Sequence, residues 1–247
     1  MLMDGAVWVA DGGRRVLLTT VVPLLAVAAA AWAFTARTAT MGTMGATAFT
    51  GSWLVMMTAM MLPAVAPVVG LYTRAARRGV VAPAPFFLAG YACIWAASAV
   101  PAYVVARAVS GPLMDGRPWV ARLTGVALLV AGLYQLTPYK RRCLTACRSP
   151  LSFFLARSTS LAPPRRAFQA GVQHGLYCLG CCWALMAVLI VLGGMQIAWA
   201  LALTLVITAE KRSRWGPATL GVTAAVAGAL GLWLIATPTL LSHLITM

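Results

Sequence analysis

Acidic residues are almost absent from this chain of 247 residues, whose only carboxylate side chains are Asp4, Asp11, Asp115 and Glu210. Magnesium, calcium and manganese bind through several oxygen ligands, and carboxylates are frequent among them. A hard-cation site or a proton relay of acidic residues therefore has almost nothing to be built from. Histidine is also scarce, with two in the chain, whereas six cysteines and twelve methionines supply soft ligands. This balance favours soft metals or thiol chemistry.

Charge of either sign is rare, since only 9% of the residues are charged and 62% are hydrophobic. Several apolar runs exceed the roughly 18 residues that indicate a membrane-spanning helix. The composition excludes a soluble globular protein and predicts an all-α fold, a polytopic helical membrane bundle in the lipid bilayer. The net charge of +15 would ordinarily suggest a nucleic-acid partner. Because the basic residues sit in short connectors between apolar runs, we expect no nucleic-acid binding.

The apolar runs predict about seven transmembrane helices in one integral membrane domain, residues 1–247. The first run follows a basic pair, as in a signal peptide, but it is longer than most signal-peptide cores. A long basic connector, residues 138–166, separates the fourth helix from the fifth. The fifth and sixth are joined so closely that they form an antiparallel hairpin. The predicted spans are residues 16–34, 49–72, 86–109, 119–137, 171–192, 195–209 and 217–236.

The distribution of basic residues predicts the orientation of these spans. Fifteen of the nineteen basic residues fall in the N-terminal segment and in alternate connectors, around residues 74–78, 140–166 and 211–214. Cytoplasmic connectors of membrane proteins carry such an excess of lysine and arginine. The N terminus is therefore predicted inside and the C terminus outside.

One apolar run carries ligands that are unusual at membrane depth, where polar groups are costly and tend to be functional. On a helix, His174, Cys178 and Cys181 fall at positions i, i+4 and i+7, which share one face, and Cys182 flanks that face. This pattern predicts half of a metal site at the start of the fifth span.

The basic connector holds a second pair, Cys143 and Cys147, also spaced i, i+4. In a regular helix their Cβ atoms would lie about 6 Å apart, whereas a disulfide requires about 3.8 Å. A shared metal therefore suits this pair better than a mutual disulfide, although free cysteines also occur simply as buried small hydrophobes. Both cysteine groups are predicted at the cytoplasmic side, where thiols stay reduced. With His174 they could form a Cys₃His or Cys₄ tetrahedral centre, or a copper(I) thiolate site of lower coordination.

The second span contains four methionines in six residues, Met56, Met57, Met60 and Met61. They pair at i, i+4, and thioether ligands select copper(I). Methionine is also a common gap-filler in apolar cores. Their density favours copper as the metal, with zinc as the alternative.

Three further residues carry weaker signals. Glu210 and Lys211 end the sixth span, where such a pair most often reaches out to the membrane interface. Because Glu210 is the sole carboxylate near a span, it could also neutralise a cationic site or orient a metal ligand. Cys93 stands alone in the third span and is interpreted as a packing residue.

These motifs together resemble a bacterial family of integral membrane proteins described as metal-binding. In some members it is linked to copper handling or to a polyphenol-oxidase system. The resemblance spans roughly residues 53–211. It rests on Trp-x-x-Met…Ala-Met-Met-Leu-Pro, Tyr-Gln-Leu-Thr-Pro…Lys…Cys-Leu-x-x-Cys-Arg-Ser-Pro, Gly-x-x-x-Gly-x-x-Cys-x-Gly-Cys-Cys-Trp and Glu-Lys. It implies that the pattern includes Met56, Met60, Met61, Cys143, Cys147, Cys178, Cys181, Cys182 and Glu210.

The sequence thus predicts a multi-pass protein of the bacterial inner membrane that handles or transports copper(I). A soluble metallochaperone or an oxidase is the expected protein partner. The alternative is a membrane redox enzyme, because Cys178 and Cys181 have the two-residue spacing of redox dithiols. It would act as a thiol oxidoreductase or as part of a copper-dependent oxidase system. A third possibility is a structural subunit of a larger complex.

Overall fold

The computed structural model describes residues 22–37, 44–79, 81–115, 117–148, 161–192, 197–212 and 216–237. These residues form helices and no strand, which confirms the all-α prediction. In chain order the helices are α1 (Val22–Arg37), α2 (Ala46–Arg77), α3 (Ala84–Met114), α4 (Pro118–Gln135), α5 (Pro138–Arg148), α6 (Pro164–Val191), α7 (Ile197–Arg212) and α8 (Gly216–Ala236).

Four helices are long and apolar enough to cross a membrane: Ala46–Arg77, Ala84–Leu113, Pro164–Val191 and Ala218–Ala236. A fifth span is reached if α4 and α5 count as one broken span. Helix α7 has 16 residues, or about 24 Å at the rise of an α-helix, against a hydrocarbon core of about 30 Å. The predicted count of seven spans is therefore not confirmed. The part of the first predicted span before residue 22 lies outside the described residues.

Local sequence explains where the helices start and stop. Proline occupies the first turn of α3, α4 and α6, where its missing N–H leaves no hydrogen bond unmade. Helix α2 ends at Arg77 and is followed by Gly79, whose φ of 71° places it in the left-handed region. The amide of Gly79 donates to the carbonyl of Ala76 (3.0 Å).

The predicted connector, residues 138–166, is in fact helical at both ends. Helix α5 occupies its first eleven residues, and α6 begins at Pro164, seven residues before the predicted start of the fifth span. The turn between α4 and α5 bends the chain by 67°. At this turn the Thr137 side chain accepts a hydrogen bond from the Lys140 amide (3.3 Å), and Pro138 follows it. Threonine before proline is a common way to start a helix.

Close backbone approach joins α3 to α6 at glycines on both helices. A Cβ placed on Gly171 would collide with the carbonyl oxygen of Phe87, and one on Gly90 would collide with that of Phe168. Gly175, one turn after Gly171, lies against Ile94. Because the contacts advance along both chains together, α3 and α6 run parallel.

Two other helix pairs, α2 with α3 and α4 with α8, are antiparallel. Trp53 near the start of α2 donates to the Ser98 hydroxyl on α3 (3.1 Å), whereas Tyr72 near its end stacks on Phe87 (ring centroids 4.8 Å apart). Helices α4 and α8 are also antiparallel, because Gly125 meets Gly231 while Gly132 meets Ala224 and Gly228. These are the relative directions that the predicted topology requires. Which end faces the cytoplasm stays a prediction.

Substituting Gly171 with alanine should destabilise the bundle by about 1–3 kcal/mol, the usual effect of forcing extra volume into a packed site. The new Cβ meets backbone atoms of Phe87 and Tyr91, which cannot rotate away. Gly51→Ala is the matched control, because Gly51 is an exposed helical glycine and a Cβ added there would have no atom within 4 Å. That change should stabilise slightly, since alanine favours a helix. Thermal unfolding in detergent measures both effects, and equal melting temperatures would contradict this packing.

Candidate metal centre

Three of the thiols lie on the buried face of α6. Cys178, Cys181 and Cys182 are each 2% exposed or less. The thiols of Cys181 and Cys182 both donate to the backbone carbonyl of Cys178 (3.1 and 3.0 Å). Because Cys181 and Cys182 follow Cys178 by three and four positions, all three thiols share one face of the helix.

A buried cation faces the Cys178 sulfur. The Lys211 ammonium, at the end of α7, donates to Cys178 Sγ (3.1 Å) and lies 3.8 Å from Met61 Sδ on α2. The Tyr91 hydroxyl on α3 lies 3.2 Å from the same Cys178 sulfur. Nearby cations and hydrogen-bond donors favour a thiolate, which is the form that binds metals and attacks disulfides. Four helices therefore meet around this sulfur atom.

Helix α5 adds the other two predicted cysteines. Across the contact between α5 and α6, the Cys147 thiol faces the thiols of Cys178 and Cys181. One turn earlier, Cys143 packs on Gly180, where an added Cβ would lie 2.9 Å from Cys143 Sγ. Two segments about thirty residues apart in sequence are thus brought together, and Gly180 provides the space between them.

A buried ion pair fixes α5 in this position. Lys140 Nζ lies 2.8 Å from Glu210 Oε2 on α7, and the two side chains are 1% and 2% exposed. Lys140 also donates to the side-chain oxygen of Gln135. On the other side, the Tyr134 hydroxyl donates to the carbonyl of Gly180. The turn between α4 and α5 is therefore tied to both α6 and α7.

The interpretation of Glu210 and Lys211 as an interfacial pair is wrong. Glu210 is 2% exposed and Lys211 8%, because α7 ends inside the bundle against α2, α5 and α6. The two side chains also contact different partners. Glu210 neutralises Lys140, whereas Lys211 faces the sulfur atoms.

The remaining candidate ligands are buried around this centre. His174, one turn before Cys178, packs its ring beside Phe87 and Tyr91 (centroids 5.9 and 6.1 Å away). All four methionines of α2 are at most 1% exposed: Met56, Met57, Met60 and Met61. Two of them, Met57 and Met61, line a cavity of about 150 Å³ together with Tyr91 and Trp95.

Residues 50–234 match a family model, PpoB2, described as a copper chaperone. The chain belongs to the PpoB2 copper chaperone family. This confirms the family resemblance drawn from the motifs and supports a function related to copper. No curated protein and no solved structure matches the chain. All the predicted metal ligands lie within the part that matches PpoB2, whereas α1 lies outside it.

In this PpoB2 family member the sulfur atoms lie close together but do not form a complete set of metal ligands. Within the described ranges, no three Cys, His, Asp or Glu side chains are grouped so that they could hold a metal ion. The thiols of Cys181 and Cys182 donate to a backbone carbonyl instead. Metal binding by the predicted residues stays a prediction.

Lys140 and Lys211 were not predicted as residues of the site. A signal for them was present, because they are the only lysines among nineteen basic residues. Lysine carries a compact charge on a flexible stem and can occupy sites where the broad guanidinium of arginine does not fit. Cys93, interpreted as a packing residue, is instead exposed on α3.

Proposed function

We propose that this protein binds copper(I) within the membrane through the thiols of Cys147, Cys178 and Cys181, with Cys182 beside them. The observation that carries the proposal is the meeting of α5 and α6, where the half-buried Cys147 faces the buried thiols of α6 beside Lys211. Thiolates are soft ligands and select copper(I). Membership of a copper chaperone family supports the same metal.

Charge balance supports a copper(I) centre with two thiolates. Two thiolates and one copper(I) ion carry a net charge of −1, which the Lys211 ammonium neutralises. Lys140 and Glu210 already neutralise each other. Four thiolates around zinc would leave an excess negative charge in a buried site, which is costly. A Cys₃His zinc centre would carry a net charge of −1, which Lys211 would also neutralise, but it needs four ligands around one point, whereas copper(I) can bind with fewer.

The methionines of α2 extend this site along the bundle. Met57 and Met61 share one cavity, and Met61 reaches the Lys211 ammonium beside Cys178. We propose that Met56, Met57, Met60 and Met61 offer thioether ligands for copper(I) moving across the membrane. By the distribution of basic residues, the thiol centre faces the cytoplasmic side of the inner membrane. A soluble metallochaperone or an oxidase would exchange copper with it.

Copper(I) titration of the purified protein in detergent, against a coloured copper(I) chelator, tests this function. We expect one copper(I) ion per chain to be withdrawn from the chelator. The Cys93→Ser variant should bind equally well, because Cys93 is exposed on α3, whereas the proposed ligands lie on α5 and α6. Failure of the wild-type protein to compete for copper(I) would contradict the proposal.

A second candidate is a membrane thiol oxidoreductase. It is favoured by Cys178, which has a lysine and a tyrosine hydroxyl on its sulfur and a second cysteine three residues later. Such surroundings activate a redox dithiol. Rapid alkylation of thiols in living cells distinguishes the two functions. A disulfide that includes Cys178 would favour redox chemistry, whereas free thiols at both Cys178 and Cys181 favour metal binding.

A further inference from the structure

The surroundings of Lys211 are unusual for a buried ammonium. Its Nζ lies 3.1 Å from Cys178 Sγ and 3.8 Å from Met61 Sδ, and each of the two sulfur-bearing side chains is 1% exposed. A thioether is a weak hydrogen-bond acceptor, and a buried charge normally requires strong partners. Among the described residues, the buried carboxylate near it is Glu210, which is engaged by Lys140. Two soft sulfur atoms from different helices therefore converge on one positive charge.

We propose that the ammonium of Lys211 occupies the position that copper(I) takes, between Cys178 on α6 and Met61 on α2. The centre is then a mixed thiolate and thioether site rather than a cysteine cluster with a separate row of methionines. This inference rests on the proposed copper(I) function and assigns the position and one ligand of its site.

The ligand chemistry of this position suits copper(I) better than other cations. Thiolate and thioether sulfur are both soft ligands, and no carboxylate faces the point between Cys178 and Met61 among the described contacts. The third group there, the Tyr91 hydroxyl, bonds the Cys178 sulfur from α3. It is placed to hold that sulfur in position when the ammonium moves away.

Charge is conserved if the ammonium moves rather than loses its proton. A Cys178 thiolate and the Lys211 ammonium together are neutral. Entry of copper(I) adds one positive charge, and a second thiol, Cys147, releases its proton to solvent as it binds. The two thiolates, the copper(I) ion and the ammonium are again neutral. The flexible stem of lysine allows the ammonium to stay beside the thiolates, and the cavity of about 150 Å³ next to Met61 provides space.

X-ray absorption at the copper edge tests this assignment in protein labelled with selenomethionine. With one copper(I) ion loaded per chain, a selenium neighbour should appear in the copper spectrum of the otherwise unchanged protein. It should remain in Met186→Leu, the control, because Met186 is a buried methionine on α6 and no contact among the described residues joins it to Lys211. It should be lost in Met61→Leu, which should also bind copper(I) about 10-fold more weakly, a loss of the size that supporting groups in metal sites cause.

The possible outcomes separate this inference from the proposed function. Copper(I) bound with sulfur neighbours and no selenium neighbour would overturn the Met61 assignment and leave the thiol site intact. A selenium neighbour that persists in Met61→Leu would also overturn it. No bound copper(I) at all would contradict the proposed function itself.

Discussion

Replacing Cys178 with serine is expected to lower the affinity for copper(I) by more than about 100-fold. Residues that merely support a metal ligand typically contribute about 10- to 100-fold, and Cys178 is the sulfur atom on which the other groups converge. Lys211 and Tyr91 bond it directly, and Cys147 lies within reach. A serine hydroxyl fits the space but is a hard and weak ligand for copper(I). Chelator competition with the purified variant measures the change.

The control for this experiment is already present in the chain. Cys93→Ser makes the same chemical change at an exposed thiol on α3, so its copper(I) affinity should equal that of the wild type. Thermal unfolding of both variants separates a loss of ligand from a loss of fold. A Cys178→Ser protein that is folded and binds copper(I) as tightly as the Cys93→Ser protein would contradict the assignment.

Removing one partner of the ion pair between Lys140 and Glu210 is expected to destabilise the protein by about 3–5 kcal/mol, because each single substitution leaves an uncompensated buried charge. Both side chains are at most 2% exposed. Lys140→Met and Glu210→Leu should each lower the thermal stability in detergent. The double variant should recover most of the loss, because well-packed apolar side chains can replace a buried ion pair.

An exposed pair in the same protein provides the comparison. Arg117 and Asp115 lie 3.7 Å apart with more than half of each side chain exposed. Exposed pairs contribute at most about 1 kcal/mol, so Asp115→Asn should change the stability little. Equal effects of Glu210→Leu and Asp115→Asn, or a double variant as unstable as the single ones, would show that the pair does not fix α5.

Composition and hydropathy predicted the helical fold because membrane helices must satisfy their own backbone hydrogen bonds, which requires long apolar runs. Composition and hydropathy did not predict helix α5 or the buried end of helix α7, because the first depends on a local capping signal and the second on tertiary packing. Helix α5 starts at Thr137 and Pro138, a capping signal inside what reads as a basic connector. Helix α7 is short, and its charged end is buried by packing against other helices, which no property of the segment itself indicates.

Part of the candidate site could likewise be predicted from the sequence, and part could not. Spacing alone predicted that Cys178, Cys181 and Cys182 share one helix face. The charge distribution predicts the α5 cysteines on the same side of the membrane, which stays a prediction. The partners of these thiols could not be predicted, because charged residues next to an apolar run ordinarily extend into the interface. Lys211 instead turns inward to the sulfur acceptors of the bundle, while Glu210 is held by Lys140.

The copper content of the Cys147→Ser variant, read by native mass spectrometry next to wild type and Cys93→Ser, tests most directly whether α5 and α6 form one centre. Cys147 belongs to a different helix from Cys178, and only the fold brings the two thiols together. We expect one copper ion on the wild type and on Cys93→Ser, and none retained by Cys147→Ser under the same chelator challenge. A Cys147→Ser protein that keeps its copper would show that α6 binds the metal without α5.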